Sequence, residues 1–278
     1  MENDTLDLLV ILDRSGSMQD AKKDHEGGLR SFIKEQRELE GDVRLTFVQF
    51  DTHNPCEIIY DRTPLEEVKD EDIVLVPRGG TPLLHAIGAA VSHLRDKLKR
   101  AKSRVVTMVI TDGEENESHR TGPEWTKTRV RALKDELEQA GWTFLFLGAN
   151  VDAFAEAATL GVASAFALGY TNAGPQVAAA YGATSANLRS ARGQHVNSVR
   201  RVASMGLTGQ SLTDASDLEW KNVVSSTMSY SDDQRVAASG KSPFPSGAST
   251  DVVTPLNPND AQANDVTVTT TTTTADKE

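Results

Sequence analysis

The chain has 278 residues, 38% of them apolar, and a formal net charge of −11. Binding a phosphate backbone needs a basic face, so nucleic acid is excluded as the expected partner. A single cysteine, Cys56, excludes an intrachain disulfide and a cysteine zinc cluster, and no stretch approaches the roughly 20 apolar residues of a membrane span.

The first seven residues, MENDTLD, lack the basic and apolar regions of a signal peptide, which predicts a cytoplasmic location. Residues 8–12, LLVIL, form a short apolar run without alternation, the pattern of a strand buried on both faces. The run stops at Asp13, and Asp13, Ser15 and Ser17 follow at i, i+2 and i+4. Open α/β sheets bind ligands outside the carboxyl ends of their strands, where these three oxygen side chains converge. Hydroxyls and carboxylates are hard ligands, suited to Mg²⁺, Mn²⁺ or Ca²⁺ rather than zinc. Gly16 is expected to let this loop turn tightly.

Residues 19–39 read as a helix with Leu29, Phe32 and Ile33 on its apolar face. Residues 43–50 are a strand, and 56–60 a second one close enough to pair as an antiparallel hairpin, with Cys56 a small buried hydrophobe. Residues 72–77 are extended. A loop at 78–82 then feeds a helix to about residue 100, with Thr81 as N-cap and Pro82 at the first helical position. Residues 104–110, RVVTMVI, are another buried strand, ending in Thr111-Asp112-Gly113. A helix over 124–140, a strand over 143–147, a short helix over 152–160 and a weaker strand over 163–168 follow. Asn150 and Asp152 are read as caps of that short helix. Alternation of this kind gives an α/β fold: a doubly wound, mostly parallel open sheet with one antiparallel edge strand and helices on both faces.

After Tyr170 the composition changes. Residues 175–201 are Ala-rich and read as a last helix, with Gly182 and Gly193 as candidate interruptions. Beyond Gly206, Ser, Thr, Asp, Asn and Pro dominate, and 269–274 is a threonine tract. This composition predicts a mostly disordered tail, with Trp220, Tyr230 and Phe244 as isolated exceptions. The expected organisation is an α/β domain over 1–172, a helical extension over 173–205 and a tail over 206–278.

The Asp13-x-Ser15-x-Ser17 pattern resembles the metal-ion-dependent adhesion site (MIDAS) of von Willebrand factor A domains, the fold shared with integrin I domains. The family's site also draws on a threonine before a helix, matched by Gly79-Gly80-Thr81-Pro82, and an aspartate after a buried strand, matched by Ile110-Thr111-Asp112-Gly113. The three loops occur in the family's order, and the resemblance covers about residues 5 to 170. It implies a Rossmann-like von Willebrand factor A fold without catalysis, holding Mg²⁺ (or Mn²⁺ or Ca²⁺) through Asp13, Ser15, Ser17, Thr81 and Asp112. It further implies protein–protein interaction, in which a Glu or Asp of a partner protein completes the coordination of the metal.

Asp51 ends the second strand at the same sheet edge and is a candidate supporting residue. Glu114, Glu115 and Glu117 read as a solvated loop, or else as a rim that tunes metal affinity. His85 reads as a packed or capping histidine rather than a ligand, and His53 and His119 as loop residues. A Mg²⁺-dependent phosphotransfer enzyme is an alternative, since Asp13 ends a strand of an α/β fold. Phosphatases of the haloacid dehalogenase type, however, need a second aspartate where Ser15 stands, and no G-x-x-x-x-G-K-[ST] loop is present. A structural or virion-associated assembly protein, with the tail as a spacer, is the other alternative.

Overall fold

Residues 5–98, 104–149, 152–206 and 208–240 are described by the structure, a computed structural model. The strands are β1 (Leu6–Asp13), β2 (Val43–Phe50), β3 (Glu57–Pro64), β4 (Arg104–Thr111), β5 (Thr143–Ala149) and β6 (Ala167–Tyr170). They form one sheet in the order β3-β2-β1-β4-β5-β6, in which every pair is parallel except β2–β3. The helices are α1 (Lys22–Arg37), α2 (Leu83–Leu98), α3 (Ser118–Thr121), α4 (Lys127–Gln139), α5 (Ala153–Thr159), α6 (Gly174–Ser204), α7 (Gly209–Thr227) and α8 (Asp232–Ser239).

Strand β1 explains the two-sided core. All eight of its residues are buried. Leu8, Val10 and Leu12 face one way, into a core shared with Leu29, Phe32 and Ile33 of α1 and Val177, Tyr181 and Leu188 of α6. Leu9 and Ile11 face the other way, against Leu83, Ile87 and Val91 of α2 and Val130 and Leu137 of α4. A strand covered on both faces has no solvent side to alternate with, hence its unbroken apolar run. Because β1, β4, β5 and β6 run parallel, Asp13, the Thr111–Asp112 turn and the residues after Tyr170 all emerge at one edge of the sheet.

The antiparallel edge strand is longer than expected, reaching Pro64 rather than residue 60. Its register with β2 shifts around Phe47, and Arg62 sits at φ 52°. This irregularity lets the Arg62 guanidinium reach Asp7, fully buried in β1, through bonds of 2.8 and 3.2 Å.

Beyond Tyr170 the outcome differs from the compositional expectation. Helix α6 runs uninterrupted through Gly182 and Gly193, neither of which is at positive φ or marks a break. The disorder expected from residue 206 does not hold for 209–239, where α7 and α8 form and pack. Trp220 is 3% exposed and Met228 and Ala238 are fully buried, all in the core that α1 and α6 share with the sheet. The physical reason lies in spacing: Trp220, Val223, Val224 and Met228 form an i, i+3, i+4, i+8 stripe that average polarity conceals. Tyr230 Oη lies 2.8 Å from Thr184 Oγ1, Ser231 and Gln234 form a capping box, and Gly240 ends α8 in the left-handed conformation. Arg235 donates to the carbonyls of Ala167 and Ser164 at 2.6 and 2.8 Å, tying α8 to β6. Residues 241–278, with Phe244 and the threonine tract, lie outside the described residues. Among the described residues no helix is long and apolar enough to cross a membrane.

Candidate metal centre

The first loop leaves β1 at Asp13 and is strapped to its neighbours by backbone hydrogen bonds. Arg14 N–H donates to Phe50 O at 3.0 Å, Gly16 N–H to Gly79 O at 3.0 Å, and Arg78 N–H to Arg14 O at 2.9 Å. The conformational demand falls on Gly79, at φ +64°, rather than on Gly16, whose φ is not in the left-handed region. A side chain at Gly79 would also press within 3.2 Å of Thr52 and His53.

Four of the five expected ligands lie in one chain of hydrogen-bonding contacts. Ser15 N–H donates to Asp13 Oδ1 at 2.6 Å, Ser15 Oγ lies 3.0 Å from Ser17 Oγ, and Ser17 Oγ donates to Asp112 Oδ1 at 2.6 Å. The fifth, Thr81, is buried beside the same turn: a Cβ on Gly113 would stand 2.9 Å from Thr81 Oγ1. Asp13, Ser15, Thr81 and Asp112 are all buried, whereas Ser17 is exposed and opens the cluster to solvent.

The electrostatics are unbalanced. Burial pushes the Asp13 carboxyl up to about 7, against hydrogen bonds from Thr111 and Ser15 that favour its ionised form, and Asp112 adds repulsion. Asp112 is also raised by burial, partly offset by hydrogen bonds from Ser17 and Asn172. Among the described residues, every hydrogen-bond partner of these two carboxylates is neutral. Arg14, inside the motif, turns away to Asp51 at 2.5 Å and to Glu57. Hard neutral hydroxyls around two uncompensated carboxylates fit a small divalent cation. Among the described residues no group of three or more His, Cys, Asp or Glu offers a competing cluster.

The flanking residues divide by role. The bonds of Asp51 go to Arg14, Arg78 and the N–H groups of His53 and Asn54 rather than to the oxygen cluster. Burial opposes its ionisation, but the Asn54 N–H, Arg14 and Arg78 outweigh it and hold the carboxyl below its ordinary value. It thereby clamps the first loop through Arg14 and the second through Arg78 at 3.0 Å. Glu115 is a structural cap rather than a solvated loop residue or rim. It accepts from Leu84 N–H at 2.7 Å, the start of α2, and from the N–H groups of Glu117 and Ser118 at 2.9 and 2.6 Å. This is the capping role expected of Thr81, whose hydroxyl lies beside Gly113. Thr81 is fixed by its backbone instead, through 2.8 and 3.1 Å bonds with Asn116. His85 bonds Thr121 Oγ1 at 3.1 Å, away from the cluster. His53, His119 and Glu114 are exposed, and Asp152 caps α5 through Ala155 N–H at 3.0 Å. Asn150 lies outside the described residues. Cys56 is half-buried, with its thiol pushed up to about 11 by burial.

Neither a protein-family model nor a curated protein sequence matches the chain. Similarity appears at the level of structure. A von Willebrand factor type A structure from Catenulispora acidiphila matches with a TM-score of 0.50 at 16% identity, over 67% of this chain and 43% of that one. The fold is that of a von Willebrand factor A domain. Proximal thread matrix protein 1 from the mussel byssus, solved with zinc in its MIDAS motif, matches at 19% identity and a TM-score of 0.44, over 65% and 47% of the two chains. The von Willebrand factor A domain of SpRpn10 matches at 10% identity and a TM-score of 0.46, over 62% and 92%. This chain spans less than half the length of the first two.

Two residues of this von Willebrand factor A fold bear on the cluster although the sequence pattern gave them no role. Thr111, the last residue of β4, donates to Asp13 Oδ2 at 2.6 Å. Asn172, just past β6, donates to Asp112 Oδ2 at 2.8 Å. Their signal was position: each follows or ends a strand at the edge where the cluster stands.

Proposed function

We propose that the chain is a non-enzymatic, metal-dependent protein-binding module whose divalent cation is held by Asp13, Ser15, Ser17, Thr81 and Asp112. The observation that carries this reading is the pair of buried carboxylates, Asp13 and Asp112, set among hydroxyls with no basic side chain among their partners in the described residues. A cation bound there supplies Lewis-acid affinity for a carboxylate, so a Glu or Asp of a partner protein is the recognised group. Exposed Ser17 marks the side from which that carboxylate approaches. Asp13 does not suit a phosphotransfer nucleophile: one oxygen is held by Ser15 N–H and the other by Thr111 Oγ1.

The test is a peptide-display selection with Mg²⁺ and with EDTA. Peptides carrying Glu or Asp should be enriched in Mg²⁺ alone and lost with Ser15→Ala or Thr81→Ala. Enrichment that is equal in EDTA refutes the recognition mode.

A further inference from the structure

The hydrogen bond from Asn172 to Asp112 opens a question of cation choice. Asp112 has both carboxylate oxygens engaged by protein donors: Oδ1 accepts from Ser17 Oγ at 2.6 Å and Oδ2 from Asn172 Nδ2 at 2.8 Å. Asn172 is itself held from the far side. Its Oδ1 lies 3.2 Å from Nε2 of His25, a residue of α1 that is fully buried. The other ring nitrogen of His25, Nδ1, lies 3.3 Å from Tyr181 Oη of α6, and Tyr170 Oη of β6 is 3.4 Å from Nε2. Both tyrosine rings meet the imidazole edge-on, at 5.7 and 5.9 Å between centroids. With the proton on Nε2, the imidazole donates to Asn172 Oδ1 and accepts from Tyr181. The amide NH₂ of Asn172 is then left to face Asp112. The flipped amide would set an oxygen against a carboxylate oxygen and an NH₂ against an imidazole N–H, so the network selects one orientation.

That orientation limits what Asp112 can do. Chelation by both oxygens requires the carboxylate to turn both of them toward one ion. Asn172 pulls Oδ2 the other way, leaving one oxygen, direct or through a water. Mg²⁺ takes six ligands in a near-ideal octahedron and keeps waters, whereas Ca²⁺ takes six to eight and commonly draws on a bidentate carboxylate. We infer that Asn172, oriented by the His25–Tyr181 pair, is a positioning residue that restricts Asp112 to one-oxygen coordination and so favours Mg²⁺-sized cations over Ca²⁺. The inference rests on the metal site proposed above. It also links α6, which lies outside the family resemblance, to Asp112 through Tyr181, His25 and Asn172.

The experiment is calorimetry of Mg²⁺ and of Ca²⁺ on the full chain and on Asn172→Ala, Asn172→Leu and His25→Phe, with a thermal melt of each in EDTA. Outer partners of metal ligands are worth about 10- to 100-fold in affinity. In the Asn172 variants Mg²⁺ affinity should fall about tenfold, and Ca²⁺ affinity should fall less than about threefold or rise. His25→Phe should move the ratio in the same direction by less. A residue that merely braces the turn before α6 would lower the melting temperature and leave the Mg²⁺/Ca²⁺ ratio unchanged. That ratio, unchanged in both Asn172 variants while the unaltered chain binds Mg²⁺ normally, overturns the inference alone. Failure of the unaltered chain to bind either cation overturns the inference and the metal site together.

Discussion

Asp13 is the residue on which the pH behaviour turns. Its carboxyl is raised to about 7 from an ordinary value of 3.8, so the folded chain holds a proton there that the unfolded chain has released. The metal-free protein therefore loses stability from this group as pH rises from about 4 to 7. A cation held by Asp13 would need its ionised form, so binding below pH 7 would displace a proton from this group. Mg²⁺ affinity should rise roughly tenfold per pH unit up to about pH 7 and level off above it; a flat profile by calorimetry between pH 5.5 and 8 contradicts the assignment. Glu115 illustrates a different residue-scale effect, since one carboxylate serves the starts of both α2 and α3. Bonds of this kind to a charged acceptor are worth about 1.5–3 kcal/mol, so Glu115→Ala should destabilise the chain by about that much in urea melts. Loss of less than about 0.5 kcal/mol would mean that the cap is not formed in solution.

At the scale of elements, the test of α7 is Trp220, which packs beside Val223, Val224 and Met228 against α6 and the sheet. Trp220→Ala should cost about 3–5 kcal/mol, a figure that chain disorder beyond residue 206 would reduce to nearly nothing. Chemical denaturation of this variant distinguishes the two. Helix α1 approaches α6 so closely that a Cβ on Gly28 would lie 2.3 Å from the Tyr181 ring. Gly28→Ala should therefore lower the melting temperature, even though alanine favours helix. The contrast between α7 and β1 shows what was legible in the sequence. Strands buried on both faces, such as 8–12 and 104–110, announce themselves as apolar runs, and the three ligand loops each follow a strand or precede a helix. Helix α7 has a sparse stripe in a polar segment, and composition hides a stripe. The Asp7–Arg62 pair, the Thr111 and Asn172 bonds and the Glu115 cap join residues far apart in sequence, and pairings of that kind follow from tertiary geometry alone. Glu115 in particular looks like any acidic loop residue until α2 is placed against it.

For the molecule as a whole, the account predicts that the core folds without the proposed metal site being filled. The two cores on either side of the sheet are built from apolar strands and helices, whereas the five oxygen residues stand on loops or at a strand end, at one edge of the sheet. Chelation should leave the far-UV circular dichroism unchanged and lower the melting temperature by no more than the mass-action stabilisation, RT ln(1 + [L]/Kd). Unfolding at room temperature on adding EDTA would show instead that the cation is structural. The central claim, that five oxygen residues from three loops hold one divalent cation, is tested most directly by Mg²⁺ calorimetry on the full chain beside Asp13→Ala and Asp112→Ala. The account predicts a single-site isotherm for the unaltered chain and none for either variant, with all three folded by circular dichroism; equal Mg²⁺ affinity in all three would contradict it.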